Sequence, residues 1–110
     1  MPIERWSENV VVVHLSDDPQ FTDDLEALDV HTQTPGMCVV LDFAAVHYVN
    51  SSNLAKMLRL RKHTVLGNGR LILCNIASQV WGTFLVTGLD KVFELSENVP
   101  TSLATIQMGQ

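Results

Sequence analysis

Residues 37–54 read MCVVLDFAAVHYVNSSNL, and this stretch decides the architecture. Residues 37–43 form an almost unbroken apolar run whose single acid, Asp42, comes near its end. Such a run lacks the alternation of a half-exposed strand, so it predicts a strand covered on both faces. Residues 44–49 then make a loop, and Asn50, Ser51 and Ser52 supply cap-type side chains before a long helical segment. A doubly covered strand that feeds a helix belongs to a sheet of parallel neighbours joined by crossover helices.

The pattern continues in both directions. Downstream, Leu54, Met57, Leu58 and Val65 fall on one face at helical spacing, with Lys56, Arg59, Lys62 and His63 on the other. Arg61 interrupts the apolar stripe, its stem packing while its head reaches water. Gly67-Asn68-Gly69 closes this helix with residues suited to left-handed backbone. Residues 70–75, RLILCN, make a third buried strand. Ser78 caps a helix carrying Val80, Trp81, Phe84 and Leu85, closed by Gly88. Residues 91–95 make a short strand, and residues 96–100 lead into a last helix holding Leu103, Ala104 and Ile106. Upstream, VVVVHL at residues 10–15 is a buried strand, with a short strand at residues 3–7 turned back at Glu8-Asn9. Thr22 caps a short polar helix reaching Thr34, and Pro35-Gly36 is a turn. The expectation is an α/β domain spanning residues 1–110. Its central sheet is mixed but mostly parallel, with four to five strands and about four flanking helices.

Composition narrows the function classes. Of 110 residues, 46% are hydrophobic and 17% charged, a globular balance able to fill a core. The net charge of -5 disfavours nucleic acid, whose binding runs on positive charge. Two cysteines, Cys38 and Cys74, lie inside apolar runs and read as buried free thiols. No apolar run approaches a membrane span, and the opening MPIERWSEN has neither the basic start nor the apolar centre of a secretory signal. A cytoplasmic protein with no membrane insertion is expected.

Charge is segregated along the chain. Residues 1–42 hold nine carboxylates and only Arg5 as a basic partner. From Phe43 to Leu89 there is no carboxylate, while Lys56, Arg59, Arg61, Lys62 and Arg70 fall there. That basic middle is either a solvated helix face or a docking face for an acidic partner. It cannot supply the paired carboxylates of glycoside chemistry. His14, His31, His47 and His63 show no metal-ligand spacing. His47 lies close to Ser51 and Ser52, but no orienting acid is near and no nucleophile elbow is present, so no catalytic residue is assigned. Ser51 and Ser52 open a helix, where unpaired N–H groups and the dipole favour an attached phosphate.

VVLDFAAVHYV followed by NSSNLAKML resembles the core of the STAS domain, the fold of bacterial anti-sigma factor antagonists. NGRLILCNIASQVWGTFLVTGLDKVFEL resembles the family's second half, with Thr87-Gly88-Leu89-Asp90 its most specific part. The resemblance runs from Val10 to Met108 and keeps the order of every element. It implies a protein-binding switch rather than an enzyme, with no cofactor of its own. The unphosphorylated form of such a switch binds an anti-sigma factor that is also a serine kinase, and so frees a sigma factor. The kinase phosphorylates a serine at the helix start and a phosphatase resets it. Carried over by position, the acceptor is Ser52, ahead of Ser51. The partner surface is Asn50, Ser51, Ser52, Asn53 and Lys56. Asn50 stands where the family has Asp, which keeps a cap and loses a charge. Asn53 stands where the family has Gly, adding a side chain at a place of close backbone approach. These changes lend weight to the alternative, a non-phosphorylated STAS scaffold or adaptor subunit of a larger signalling or transport assembly.

Overall fold

A computed structural model describes residues 3–109. The strands are β1 (Ile3–Ser7), β2 (Val10–Ser16), β3 (Cys38–Ala45), β4 (Leu71–Cys74) and β5 (Glu94–Ser96). The helices are α1 (Gln20–His31), α2 (Ser51–Leu66), α3 (Ser78–Thr87) and α4 (Val99–Gln107), with a 3-10 turn at Leu89–Lys91. The five strands form one sheet in the order β1-β2-β3-β4-β5. β1 pairs antiparallel with β2, and every later pairing is parallel.

Strand order explains the layers. The parallel strands are added one after another in the same direction, so right-handed crossovers put α1, α2 and α3 on one face. Val11, Val13, Val39, Leu41 and Phe43 point into that layer, against Phe21, Leu25, Met57, Leu60 and Phe84. Among the described residues the opposite face receives only α4, whose Val99, Leu103 and Ile106 pack on Val12, Val40 and Cys74. β3 is therefore covered on both sides, as its apolar run requires. Aromatic rings tie the helical layer together. Phe43 meets Phe21 at 6.0 Å and Phe84 at 6.4 Å, and Trp81 stacks on Phe84.

Several boundaries differ from expectation for local reasons. α1 starts at Gln20, ahead of Thr22, because the Asp18 carboxylate accepts from Thr22 N at 3.0 Å and Thr22 Oγ1 at 2.7 Å. It ends at His31, with Thr32 as the C-cap. Ser78 is the first residue of α3 rather than its cap, a place taken by Ala77 without a side-chain bond. The expected strand at 91–95 divides into the 3-10 turn and the later β5, so Val92 is left outside the sheet. α2 buries Asn53, Leu54, Met57, Leu60 and Thr64, while Leu58 and Val65 stay exposed. At the end of α2, Asn68 rather than Gly67 takes the left-handed conformation.

Cys38 and Cys74 are buried free thiols at opposite ends of the β3–β4 pair, since Val39 pairs with Leu71 and Asp42 with Cys74. Burial pushes the Cys74 thiol up to about 11. No helix among the described residues is long and apolar enough to cross a membrane.

Candidate functional site

The parallel strands end together, and their loops gather at one edge of the sheet. There the β2–α1 loop, the β3–α2 loop and the start of α3 meet.

The start of α2 is built from the backbone outward. Asn50 has extended backbone, and its side chain accepts from Asn53 N at 2.8 Å. Asn53 returns the bond, its Oδ1 accepting from Asn50 N at 3.0 Å. This reciprocal box satisfies two donors that the helix leaves open. Asn53 Nδ2 then donates to Asp18 Oδ2 at 2.8 Å, and Asn50 Nδ2 reaches the same oxygen at 3.4 Å. The negative charge that Asn50 lacks is thus brought in by Asp18, from the β2–α1 loop. The hydrogen bond from the Thr22 hydroxyl, then that from Asn53, hold the Asp18 carboxyl below its ordinary range.

Ser51 and Ser52 occupy the first two positions of α2, and both side chains are exposed. Their N–H groups have no intrahelical acceptor at these positions. One turn on, Lys56 Nζ lies 3.3 Å from Ser52 Oγ. A hydroxyl there is open to a macromolecule. An anion attached to it meets the positive end of a helix and a nearby ammonium. Asn53, by contrast, is only 1% exposed. Its side chain is turned inward to Asp18 and Asn50, so it shapes the site rather than presenting a surface.

His47 gains a partner that sequence distance concealed. Asp17 Oδ1 accepts from His47 N at 2.8 Å, and Asp17 Oδ2 lies 2.8 Å from His47 Nδ1. The backbone bond, followed by the ring bond, lowers the Asp17 carboxyl. An ionised Asp17 puts the proton on Nδ1 and leaves Nε2 of the neutral ring as an acceptor. Gln79 Nε2 donates to His47 O at 2.8 Å, tying α3 to the same loop. An orienting acid for His47 therefore exists, correcting the expectation of none. No hydrogen bond among the described residues joins His47 to Ser51 or Ser52, so the dyad does not extend to a nucleophile.

A second polar ladder crosses the same edge on the α4 face. Asp42 accepts from Ala44 N at 3.0 Å and Asn75 Nδ2 at 2.9 Å, and its other oxygen lies 2.7 Å from His14 Nδ1. Burial pushes the Asp42 carboxyl up, but the bonds from Asn75, Ala44 and His14 outweigh it and the net shift is downward. The aspartate pair at 17–18 and the Asp42 ladder were missed as site residues. Their signal is position: acids and amides within the last residues of a buried strand, such as Asp42, or just beyond one, such as Asp17, Asp18 and Asn75, fall at the loop edge of a parallel sheet.

The STAS domain model matches residues 19–102, most of the chain, and the protein belongs to the STAS family. Solved structures agree on the fold. An anti-sigma-factor antagonist (STAS) domain protein from Planctomyces limnophilus superposes with a TM-score of 0.78 at 18% identity, over 98% of this chain and 98% of that one. A serine-to-glutamate variant of RsbS from Moorella thermoacetica gives 0.75 at 20% identity, over 97% and 96%. The anti-sigma factor antagonist SpoIIAA in its unphosphorylated form gives 0.78 at 16% identity, over 98% and 96%. No curated relative matches the sequence.

Proposed function

We propose that this chain is an anti-sigma factor antagonist, a non-enzymatic binding module switched by phosphorylation of Ser52. The observation that carries the reading is the setting of that serine. Its hydroxyl is exposed at the second position of α2, beside Lys56, on a helix start braced by Asn50, Asn53 and Asp18. In the unphosphorylated state the α2 start binds an anti-sigma factor serine kinase, which releases its sigma factor. That kinase then transfers the γ-phosphoryl group of its own ATP. A bond forms from Ser52 Oγ to phosphorus, the bond to the bridging oxygen breaks, the hydroxyl proton is lost and ADP leaves. The added charge of about −1.5 to −2 settles on the helix start without unfolding it, yet meets any partner seated there. A phosphatase resets the hydroxyl.

The test begins with the native complex. The protein is recovered from its host and its partners and modifications are mapped by mass spectrometry. Phosphate on Ser52 with an ATPase-type kinase in the eluate is the expected result. Unmodified Ser51 and Ser52 under all growth and stress conditions, within a stable non-kinase assembly, would replace the switch with the scaffold reading. With the kinase in hand, Ser52→Asp is expected to weaken binding at least tenfold while the circular dichroism spectrum stays unchanged. Equal affinity of the two proteins overturns the switch.

A further inference from the structure

We propose that the outer face of α1 and α2 is a self-association surface, on which a second copy of this chain docks with its α2 over α1 and its α1 over α2. The face is self-complementary in charge. α1 presents Asp23, Glu26 and Val30 outward, and α2 presents Arg59, Lys62 and Leu66. Each set follows helical spacing and so forms one stripe. Val30 is 70% exposed and Leu66 72%, large apolar groups left open to solvent by the described residues. Among the described residues, none of Asp23, Glu26, Arg59 and Lys62 has an ion-pair partner within its own chain.

Register makes the match specific. α1 and α2 both return from the same edge of a parallel sheet, so they run parallel to each other. Asp29 Oδ1 lies 3.5 Å from His63 Nδ1, which fixes their relative height. Leu25, Glu26, Lys56 and Arg59 line one cleft between the helices at the next turn. A two-fold axis lying in this face, parallel to the helices, keeps every height and exchanges α1 for α2. Glu26 then comes opposite the partner copy's Arg59 and Lys62, and Val30 opposite its Leu66. Each contact occurs twice, and the arrangement closes as a dimer rather than growing into a filament.

The size of the face sets the strength. Helices of 12 and 16 residues are about 18 and 24 Å long, so the paired stripes cover about 400 Å² a side. The total over both copies, about 800 Å², lies below the roughly 1,200 Å² that separates transient from stable interfaces. The pair is therefore concentration-dependent and sensitive to salt. Ser52 lies at the head of the same α2 stripe. On the proposed function a kinase seated there displaces the second copy; that consequence rests on the switch, whereas self-association does not.

Sedimentation of the intact unphosphorylated chain tests this directly. In low salt, the weight-average mass is expected to rise with concentration toward twice the monomer. At about 0.5 M salt it should fall back. Glu26→Arg and Arg59→Glu, each alone, set like charges opposite one another and are expected to hold the chain monomeric. The double variant keeps the wild-type net charge and is expected to restore association. Circular dichroism of all three confirms folding. A chain monomeric at every concentration overturns the proposal and leaves the face to a different protein. Association that ignores the single reversals, or a double variant that stays monomeric, overturns it equally.

Discussion

Asn53 touches both ends of the helix start, accepting from Asn50 N and donating to Asp18. Truncating it leaves the Asn50 N–H without its acceptor and removes a donor from the half-buried Asp18 carboxylate. Asn53→Ala is therefore expected to lower stability by about 1–3 kcal/mol, read as a lower urea midpoint with unchanged slope. Ser52→Ala, at an exposed side chain whose hydrogen bond to Lys56 is itself solvent-exposed, should stay within about 0.5 kcal/mol. Equal effects at the two positions would show that the Asn53 network is not structural. The aspartates carry a second expectation. Asp18 and Asp42 are both held below the ordinary value of 3.8 in the fold. A depressed carboxylate stabilises fully above its unfolded value and loses that contribution as pH falls through the folded one. The thermal midpoint should thus be level between about pH 7 and 5 and decline below about pH 4. Asp42→Asn is expected to flatten part of that decline; an unchanged acid slope would exclude Asp42 as a contributor.

At the scale of elements, two glycines with different surroundings give opposite predictions. Gly69 links α2 to β4, and a Cβ there would lie 1.9 Å from Met37 O at the head of β3. Met37 O is backbone and the Cβ is fixed directly to backbone, so neither yields cheaply. Gly69→Ala is expected to cost about 1–3 kcal/mol or more and to lower the thermal midpoint. Gly82 sits inside α3 with nothing within 4 Å of an added methyl. Gly82→Ala is expected to gain about 0.5–1 kcal/mol by restricting the unfolded chain. The same scale explains α2. Its composition places Leu58 and Val65 with the apolar set, yet the residues it buries include Leu60 and Thr64. Thr64 enters the core because its hydroxyl is satisfied by Leu60 O at 2.7 Å. No periodicity count weighs a buried threonine that brings its own acceptor.

The whole molecule is asymmetric about its sheet. Three crossover helices and the phenylalanine cluster fill one face, and α4 alone covers the other. Phe84 contacts Phe43, Trp81 and Phe93 and is fully buried. Phe84→Ala is expected to cost about 3–5 kcal/mol in denaturant unfolding. Leu103→Ala on the thin face, where the side chain is only partly buried, should cost distinctly less. If the two match, the second face carries more of the stability than its packing indicates. The asymmetry also leaves the outer surfaces of α1 and α2 free for partners, at the edge of which the Ser52 hydroxyl stands.

The order of elements, the doubly covered β3, the parallel sheet and the position of the serines at a helix start were legible in the sequence by itself. Each follows from neighbours within a few residues, where hydrophobic spacing and cap chemistry act. The chain also displayed its charge segregation, because that is a property of composition along a line. Tertiary structure alone decided which residues brace the site. Asp18 reaches Asn53 and Asp17 reaches His47 across 35 and 30 residues. Those distances in sequence are erased only when β2 and β3 lie parallel and end together. Asn53 reads in sequence as an added surface side chain and is in the fold a buried brace. Its environment is supplied by a loop that no local pattern connects to it.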